Sequence, residues 1–203
     1  MIGSSLRPVV GRVADPLVNR LQAWGVTPDA VTATGTLGVV AASLGLFPRG
    51  HLFVGTLVIS FFVLTDTLDG ALARKRGTTS RFGAWLDSTC DRVADGAIFG
   101  GLALWFAGER DDDAMVAVTL LVLVASFVTS YAKARAEGLG LTCDVGIAER
   151  PERLIIVLVT AGFVGLGVSV VLLEAGLWLL AVLSVVTVAQ RTREVRRQTS
   201  GAA

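Results

Sequence analysis

Residues 66–91 read DTLDGALARKRGTTSRFGAWLDSTCD. Four carboxylates lie in this stretch, with Asp66 and Asp69 at i, i+3 and Asp87 and Asp91 at i, i+4. On a helix, each of these spacings places both side chains of the pair on one face. Apolar segments precede Asp66 and follow Asp91, so the sequence predicts two membrane-spanning helices that bring the two pairs to one depth.

Four aspartates at a membrane edge require compensating positive charge. An aspartate at the centre of a spanning helix costs roughly 2.5–3.5 kcal/mol on insertion scales, and four converging anions also repel one another. Hard carboxylate oxygens suit Mg²⁺, Mn²⁺ or Ca²⁺ better than zinc. The alternative is pairing with basic side chains of the same region, namely Arg74, Lys75, Arg81 and Arg92. Ionisable clusters in membrane segments usually serve a function, which favours the metal interpretation.

The spacing of these residues resembles the signature of the CDP-alcohol phosphotransferases. It runs Asp66-x-x-Asp69-Gly70-x-x-Ala73-Arg74, then eight residues, then Gly83-x-x-x-Asp87-x-x-x-Asp91. The resemblance implies that the four aspartates hold two divalent cations, Mg²⁺ or Mn²⁺, which bind the diphosphate of a CDP-linked lipid. It also implies that Asp91 is the general base, that an acceptor hydroxyl attacks the β-phosphate, and that CMP leaves.

The residue types agree with that chemistry. Two metal ions clamp a diphosphate and neutralise the leaving group, and a carboxylate close to the acceptor takes its proton. Arg74 is placed to add a fixed positive charge at the phosphates; the alternative for Arg74 is an interfacial anchor.

Donor recognition is expected at the start of the first span. Thr27-Pro28 is a helix-start signal, and the family often has Asn where this chain has Asp29. For Asp29 itself, an N-cap or first-turn acid is the alternative. The resemblance implies that the donor contacts Asp29, Ala30, Val31, Thr32, Gly70, Ala73, Arg74, Ser80 and Gly83, beside the metal-bearing Asp66 and Asp69.

Composition indicates a membrane protein. The chain has 203 residues, of which 53% are hydrophobic, and its mean hydropathy is +0.67. Soluble domains rarely reach that combination. The formal net charge of +1 gives no indication of a nucleic-acid partner, and none is expected.

The pattern of apolar runs predicts an all-α integral membrane protein with six transmembrane helices and an N-terminal amphipathic interfacial helix. The amphipathic segment alternates valines and leucines with arginines, although a packed cytoplasmic helix fits it equally. The expected organisation is one domain, residues 1–203, with an interfacial helix at 1–24, a six-helix bundle at 25–190 and a cytoplasmic tail at 191–203. The spans are expected near 30–47, 52–73, 82–107, 114–136, 153–172 and 177–190, with a tight turn at Glu174–Gly176.

The distribution of positive charge predicts the orientation of the chain. The turns near 48–51, 108–113 and 173–176 hold only Arg49 and Arg110 of the 18 Lys and Arg residues. Positive residues favour the cytoplasmic side. Both termini and the aspartates are therefore expected on the cytoplasmic face of a bacterial plasma membrane.

A second polar region, SYAKARAEG (130–138) with ERPER (149–153), is expected on the same side as the aspartates. It resembles the actinobacterial phosphatidylinositol-phosphate synthases within the same family. That resemblance implies CDP-diacylglycerol as donor, inositol phosphate as acceptor, and a homodimer. Candidate ligands of the acceptor phosphate are Ser130, Lys133, Arg135, Arg153, Arg191 and Arg193. The alternative is ordinary positive charge in a cytoplasmic loop.

Two other functions fit parts of the sequence. A phosphatidylglycerol-phosphate synthase, or another member with a different acceptor, would also need a basic pocket. A cation transporter would use the aspartates as an ion pathway, but it would more plausibly carry acidic groups on several spans and show repeat symmetry.

Overall fold

The computed structural model describes residues 27–76 and 80–200, and for residues 66–76 it describes the backbone alone. The predicted interfacial helix at 1–24 lies outside the described residues. Within them the structure is all-helical, with six α-helices and one short 3₁₀ turn at Phe47–Arg49. The helices are α1 Pro28–Leu46, α2 Leu52–Arg76, α3 Arg81–Gly108, α4 Asp113–Gly138, α5 Arg150–Gly165 and α6 Val171–Ser200.

Local capping residues set several of the helix starts. The Thr27 hydroxyl accepts a hydrogen bond from the Ala30 amide at 3.2 Å, with Pro28 in the first turn. Ser80 accepts from the Gly83 amide at 2.8 Å. Asp112 accepts from the Met115 amide at 3.0 Å. Each side chain satisfies a backbone N–H that the first turn leaves without a partner.

The helices close into a ring through their contacts. Going around it, each helix packs on the next in the order α1, α2, α5, α6, α4, α3, and α3 packs again on α1. Fully buried side chains such as Ile59, Ile98, Leu102 and Leu177 fill the interior. The outer surface is apolar on each helix, as shown by the exposed Leu37, Phe61, Leu104, Val124, Ile155 and Val182. An apolar exterior around a packed interior is typical of a membrane bundle.

Three helices in the described residues are long and apolar enough to cross a membrane: Pro28–Arg49, Asp113–Gly138 and Val171–Ser200. A shorter apolar helix covers Leu52–Thr65. The first half of α3 carries charged residues, and α5 has only 16 residues, fewer than the roughly 20 that span a bilayer.

The boundary between the last two helices differs from the sequence prediction. The fifth span was expected at 153–172, but α5 ends at Gly165 and α6 begins at Val171. The predicted tight turn at Glu174–Gly176 is wrong, because these residues lie inside α6. The expected tail boundary at 191 also falls inside α6, which is helical to Ser200.

Close packing of α1 on α3 gives a testable prediction. A Cβ atom at Gly101 would lie 2.4 Å from the Ser43 carbonyl oxygen, so Gly101→Ala forces the two helices apart. Overpacking of this kind costs about 1–3 kcal/mol, and we expect a lower Tm for the detergent-solubilised protein. The matched control is Gly100→Ala, where a Cβ would meet nothing within 4 Å. Alanine favours the helix there, so equal Tm values for the two variants would contradict the close approach.

Candidate active site

A line of three aspartates follows one face of α3. Asp87, Asp91 and Asp95 are spaced four residues apart, which places them one above the other on a helix. Asp87 and Asp91 are half-buried, whereas Asp95 is only 1% exposed. Asp95 was absent from the predicted site. The signal that would have identified it is the continuation of the same four-residue spacing beyond Asp91.

Arginine side chains neutralise the two deeper aspartates of this line. Arg150, the first residue of α5, places Nη1 2.7 Å from Asp91 Oδ1 and Nε 3.2 Å from Asp95 Oδ1. Arg92 Nη2 lies 3.6 Å from Asp91 Oδ2. Arg153 Nη2 lies 3.6 Å from Asp95 Oδ2. Buried carboxylates need such partners, because an unpaired buried charge is strongly destabilising.

Asp87 differs from its neighbours in having no such partner. Among the described residues, its carboxylate neither accepts a hydrogen bond nor forms an ion pair. One turn away, Asp91 Oδ1 forms an ion pair with Arg150, while the nearest cation to Asp91 Oδ2 is Arg92 at 3.6 Å. Hard carboxylate oxygens with unmatched negative charge are the donors that Mg²⁺ and Mn²⁺ prefer. Asp87 and one oxygen of Asp91 therefore offer donors of the right type, but the described residues contain no cluster of three such groups, and a complete set of ligands would need Asp66 and Asp69.

The predicted ligands Asp66 and Asp69 lie on the adjoining α2. Phe62 and Val63 of α2 line a small crevice together with Asp91, Ala94 and Arg150, and α1 contributes Gly35, Thr36 and Val39. Asp66 follows Phe62 by about one helical turn. The α2 backbone thus carries Asp66, Asp69, Gly70, Ala73 and Arg74 from this crevice toward the same end of the bundle as Asp87. The side chains of these five residues lie outside the described part.

The predicted donor residues of α1 and α3 come together at their helix N-termini. A Cβ atom at Gly83 would lie 3.1 Å from Ser80 Oγ and 3.4 Å from Asp29 Oδ1. The glycine therefore leaves room between the two helix starts. Asp29 is a first-turn acid, since Thr27 is the N-cap. Ala30 is exposed beside it, Val31 is half-buried, and Thr32 is buried with its hydroxyl donating to the Pro28 carbonyl.

The basic residues predicted to bind an acceptor phosphate occupy different environments. Arg153 is 2% exposed, and its Nη1 donates to the Ala148 carbonyl at 2.9 Å. Its Nε and Nη2 have no hydrogen-bond partner among the described residues. Lys133 instead donates to Asp144 Oδ1 at 2.7 Å, and this bond lowers the pKa of the Asp144 carboxyl below its ordinary value.

Arg191 holds the loop that precedes α5. Its Nε donates to the Val145 carbonyl at 2.9 Å and its Nη1 to the Thr129 carbonyl at 2.6 Å. Its Nη2 lies 3.7 Å from Glu149. Arg153 also donates to the Ala148 carbonyl of this loop. Two buried arginines therefore fix the loop that presents Arg150.

Thr187 and Gly146 complete the attachment of this loop. Thr187 Oγ1 accepts from the amides of Ile147 at 3.3 Å and Ala148 at 3.1 Å. Gly146 has a φ of +146°, and a Cβ there would lie 2.7 Å from Thr187 Cγ2. Only glycine combines this conformation with so close an approach.

The remaining predicted acceptor residues lie farther toward the surface. Ser130 is half-buried and donates to the Ser126 carbonyl at 3.1 Å. Arg135 is exposed in the last turn of α4. Arg193 is exposed and lines a surface groove beside Gly146 and Arg197; Arg153 does not line this groove.

Comparison with known proteins identifies the family of the chain. The family model for CDP-alcohol phosphatidyltransferase matches residues 25–190. The phosphatidylinositol phosphate synthase of Streptomyces avermitilis is 50% identical over 209 residues, covering 100% of this chain and 85% of that protein. The synthase of Mycobacterium tuberculosis is 52% identical over 194 residues, covering 93% and 88%.

Solved structures of the Mycobacterium tuberculosis synthase share the fold. The crystal structure with CDP-DAG bound has a TM-score of 0.87 at 52% identity, covering 91% of this chain and 94% of that one. The complex with manganese and citrate has a TM-score of 0.86 at 52% identity, covering 90% and 88%. These matches support an enzyme rather than a cation transporter: the chain belongs to the CDP-alcohol phosphatidyltransferase family.

Proposed function

We propose that this enzyme transfers the phosphatidyl group of CDP-diacylglycerol to inositol phosphate, giving phosphatidylinositol phosphate and CMP. Relatives of about 50% identity that span nearly the whole chain are phosphatidylinositol phosphate synthases. One of them has been solved with CDP-DAG and, separately, with manganese and citrate. The reaction is metal-dependent.

The aspartates of α2 and α3 are the proposed ligands of two divalent cations, with Mg²⁺ the expected ion and Mn²⁺ an alternative. Asp87 and Asp91 supply carboxylates from α3, and Asp66 and Asp69 supply them from α2. When bound, the cations polarise the diphosphate and neutralise the leaving CMP. Gly83 leaves space beside Asp29 and Ser80 for the nucleotide end of the donor, and we assign Ala30, Val31, Thr32, Gly70, Ala73 and Arg74 to the same donor site.

Asp91 is the proposed general base. Its half-buried carboxylate lies on the same face as the proposed ligand Asp87. A carboxylate so placed takes the proton of an acceptor hydroxyl as that hydroxyl attacks the β-phosphate.

The observation that carries the choice of a phosphorylated acceptor is the buried Arg153. Its Nε has no hydrogen-bond partner among the described residues, and its Nη2 faces Asp95 Oδ2 at 3.6 Å, beyond hydrogen-bond distance. Buried N–H groups normally have a closer partner. The fork of a guanidinium suits a phosphate oxygen pair. Arg153 is connected through Asp95 and Arg150 to Asp91, so a phosphate bound there belongs to the same site. Ser130, Lys133, Arg135, Arg191 and Arg193 are the further residues proposed for this acceptor region.

The proposed topology is six membrane spans with the active site and both termini in the cytoplasm. The connections at 47–51, 109–112 and 166–170 lie at the opposite end from the aspartates. Their only Lys or Arg residues are Arg49 and Arg110. The connection between α5 and α6 lies at 166–170 rather than at the predicted 173–176. It has no Lys or Arg, so the positive charge still favours the same orientation. A homodimer in the bacterial plasma membrane stays a prediction from the family resemblance, to be measured by cross-linking in native membranes.

Acceptor identity is tested by CMP release from purified protein in detergent with CDP-diacylglycerol and Mg²⁺. We expect release with inositol phosphate and little with glycerol phosphate or free inositol. A chelator is expected to abolish release, and added Mg²⁺ or Mn²⁺ to restore it. Release driven by glycerol phosphate would replace the proposed acceptor and indicate a phosphatidylglycerol-phosphate synthase. Release that persists in the chelator would contradict the metal site.

A further inference from the structure

We infer that Arg150 is a positioning residue for the reaction, which holds Asp91 by one carboxylate oxygen while the buried Asp95 holds Arg150. The inference rests on the proposed function, because it gives Arg150 a role through the general base. Neither Arg150 nor Asp95 belongs to the eight-position signature of the sequence.

The geometry depends on the shape of the guanidinium group. Arg150 directs Nη1 to Asp91 at 2.7 Å and Nε to Asp95 at 3.2 Å. Two acceptors one helical turn apart on α3 are therefore bridged by one planar group. A lysine ammonium is a point charge on a flexible stem and lacks this fixed fork.

Asp95 is the anchor of this arrangement. It is 1% exposed and lies one turn deeper than Asp91, so it is distant from the exposed end of the site. Its Oδ1 is used by Arg150, and its Oδ2 faces Arg153 Nη2 at 3.6 Å. Its negative charge holds the side chain of Arg150 against α3 through Oδ1. Because Oδ2 also faces Arg153, Asp95 acts on the reaction through both arginines, and the Arg150 variants isolate the part that passes through Arg150.

The contact with Arg150 fixes the orientation of the Asp91 carboxylate plane. The terminal torsion angle of an aspartate side chain has a broad, two-fold distribution. A carboxylate without a rigid partner therefore samples many orientations. Oδ1 is held by Arg150 at 2.7 Å, whereas Oδ2 has Arg92 only at 3.6 Å and is the oxygen directed to the reacting groups. Misplacement of a reacting group by about 1 Å costs on the order of 100-fold in rate.

The experiment compares kcat and KM for Arg150→Lys, Arg150→Gln and wild type, using CMP release with whichever acceptor the wild-type protein accepts. We expect Arg150→Lys to retain the Tm of wild type and to lose kcat by at least about tenfold. KM for donor and acceptor should stay within about threefold, since a positioning residue contacts neither. Arg150→Gln should lose at least as much, because lysine keeps the charge and glutamine does not.

Glu152→Gln is the matched control. It removes a charge from the same turn of α5, its side chain is exposed, and it has no ion pair with the described residues; its kcat should equal that of wild type. Asp95→Asn is measured second, with an expected kcat loss in the same direction. Because Asp95 is buried, the Arg150 variants decide the outcome if Asp95→Asn unfolds.

Two results would overturn the inference. One is a kcat for Arg150→Lys within twofold of wild type. The other is a loss confined to the acceptor KM, which would make Arg150 a binding residue. Failure of the proposed function is a separate result, since it is seen as wild-type protein that does not use inositol phosphate.

Discussion

Asp91→Asn is expected to reduce kcat for CMP release by about 10²–10⁴-fold, the usual contribution of a general base. Asparagine retains the size of the side chain and an oxygen that can accept the Arg150 hydrogen bond, now 2.7 Å from Asp91 Oδ1. It cannot accept a proton from the acceptor hydroxyl. Donor binding should be largely retained, because three other carboxylates remain. The measurements are single-turnover CMP release and the binding of CDP-diacylglycerol in the presence of Mg²⁺.

The matched control is Asp113→Asn, which removes an exposed acid from the first turn of α4 at the opposite end of the bundle. Its kcat should be unchanged. Appreciable turnover by Asp91→Asn would reject the general-base assignment. A variant that no longer binds the donor would instead identify Asp91 as primarily a metal ligand.

The sequence predicted the helices best where local signals mark both ends. The third span was expected at 82–107, and α3 runs from Arg81 to Gly108. The structure shows Ser80 as the cap of this helix, and the acidic residues before α4 mark its other end. These signals depend on local hydrogen bonds, which the sequence specifies without knowledge of the packing.

The error between α5 and α6 has a different cause. Gly176 suggested a turn, but a Cβ there would lie 3.1 Å from Thr160 Cγ2. The glycine therefore serves the contact between two helices. The actual turn includes Gly167, whose φ is +96°. A glycine in a turn and a glycine in a helix contact look alike in the sequence, and only the packing distinguishes them.

Only part of the candidate site could be predicted for a related reason. The family signature ends at Asp91, whereas Arg150 and Arg153, which pair with Asp91 and Asp95, come from α5, with Arg150 55 residues beyond Asp95. Arg191 reaches Thr129 across 62 residues. The sequence grouped the basic residues on one side of the membrane. It did not show which of them contact aspartates and which hold the loop, because those assignments depend on tertiary contacts.

Arg153→Lys is expected to raise the KM for inositol phosphate by about 10–100-fold, with kcat and donor affinity changed much less. Hydrogen bonds to charged groups contribute about 1.5–3 kcal/mol, and 1.4 kcal/mol corresponds to a tenfold change in affinity. Lysine keeps the positive charge beside Asp95 but loses the guanidinium fork made by Nε, which has no hydrogen-bond partner among the described residues, and Nη2, which faces Asp95 at 3.6 Å. Initial-rate measurements at varied acceptor and saturating donor give the comparison.

Arg153→Ala should show a larger acceptor effect, but it also removes one of the two arginines beside the buried Asp95. Removing one partner of a buried ion pair costs about 3–5 kcal/mol, so the Tm of this variant is expected to fall as well. The lysine variant therefore separates binding from stability. Arg110→Lys, an exposed residue in the turn between α3 and α4, is the control and should change neither KM nor Tm. An unchanged acceptor KM in Arg153→Lys would show that the phosphate is held elsewhere, with the exposed Arg135 and Arg193 the next residues to replace.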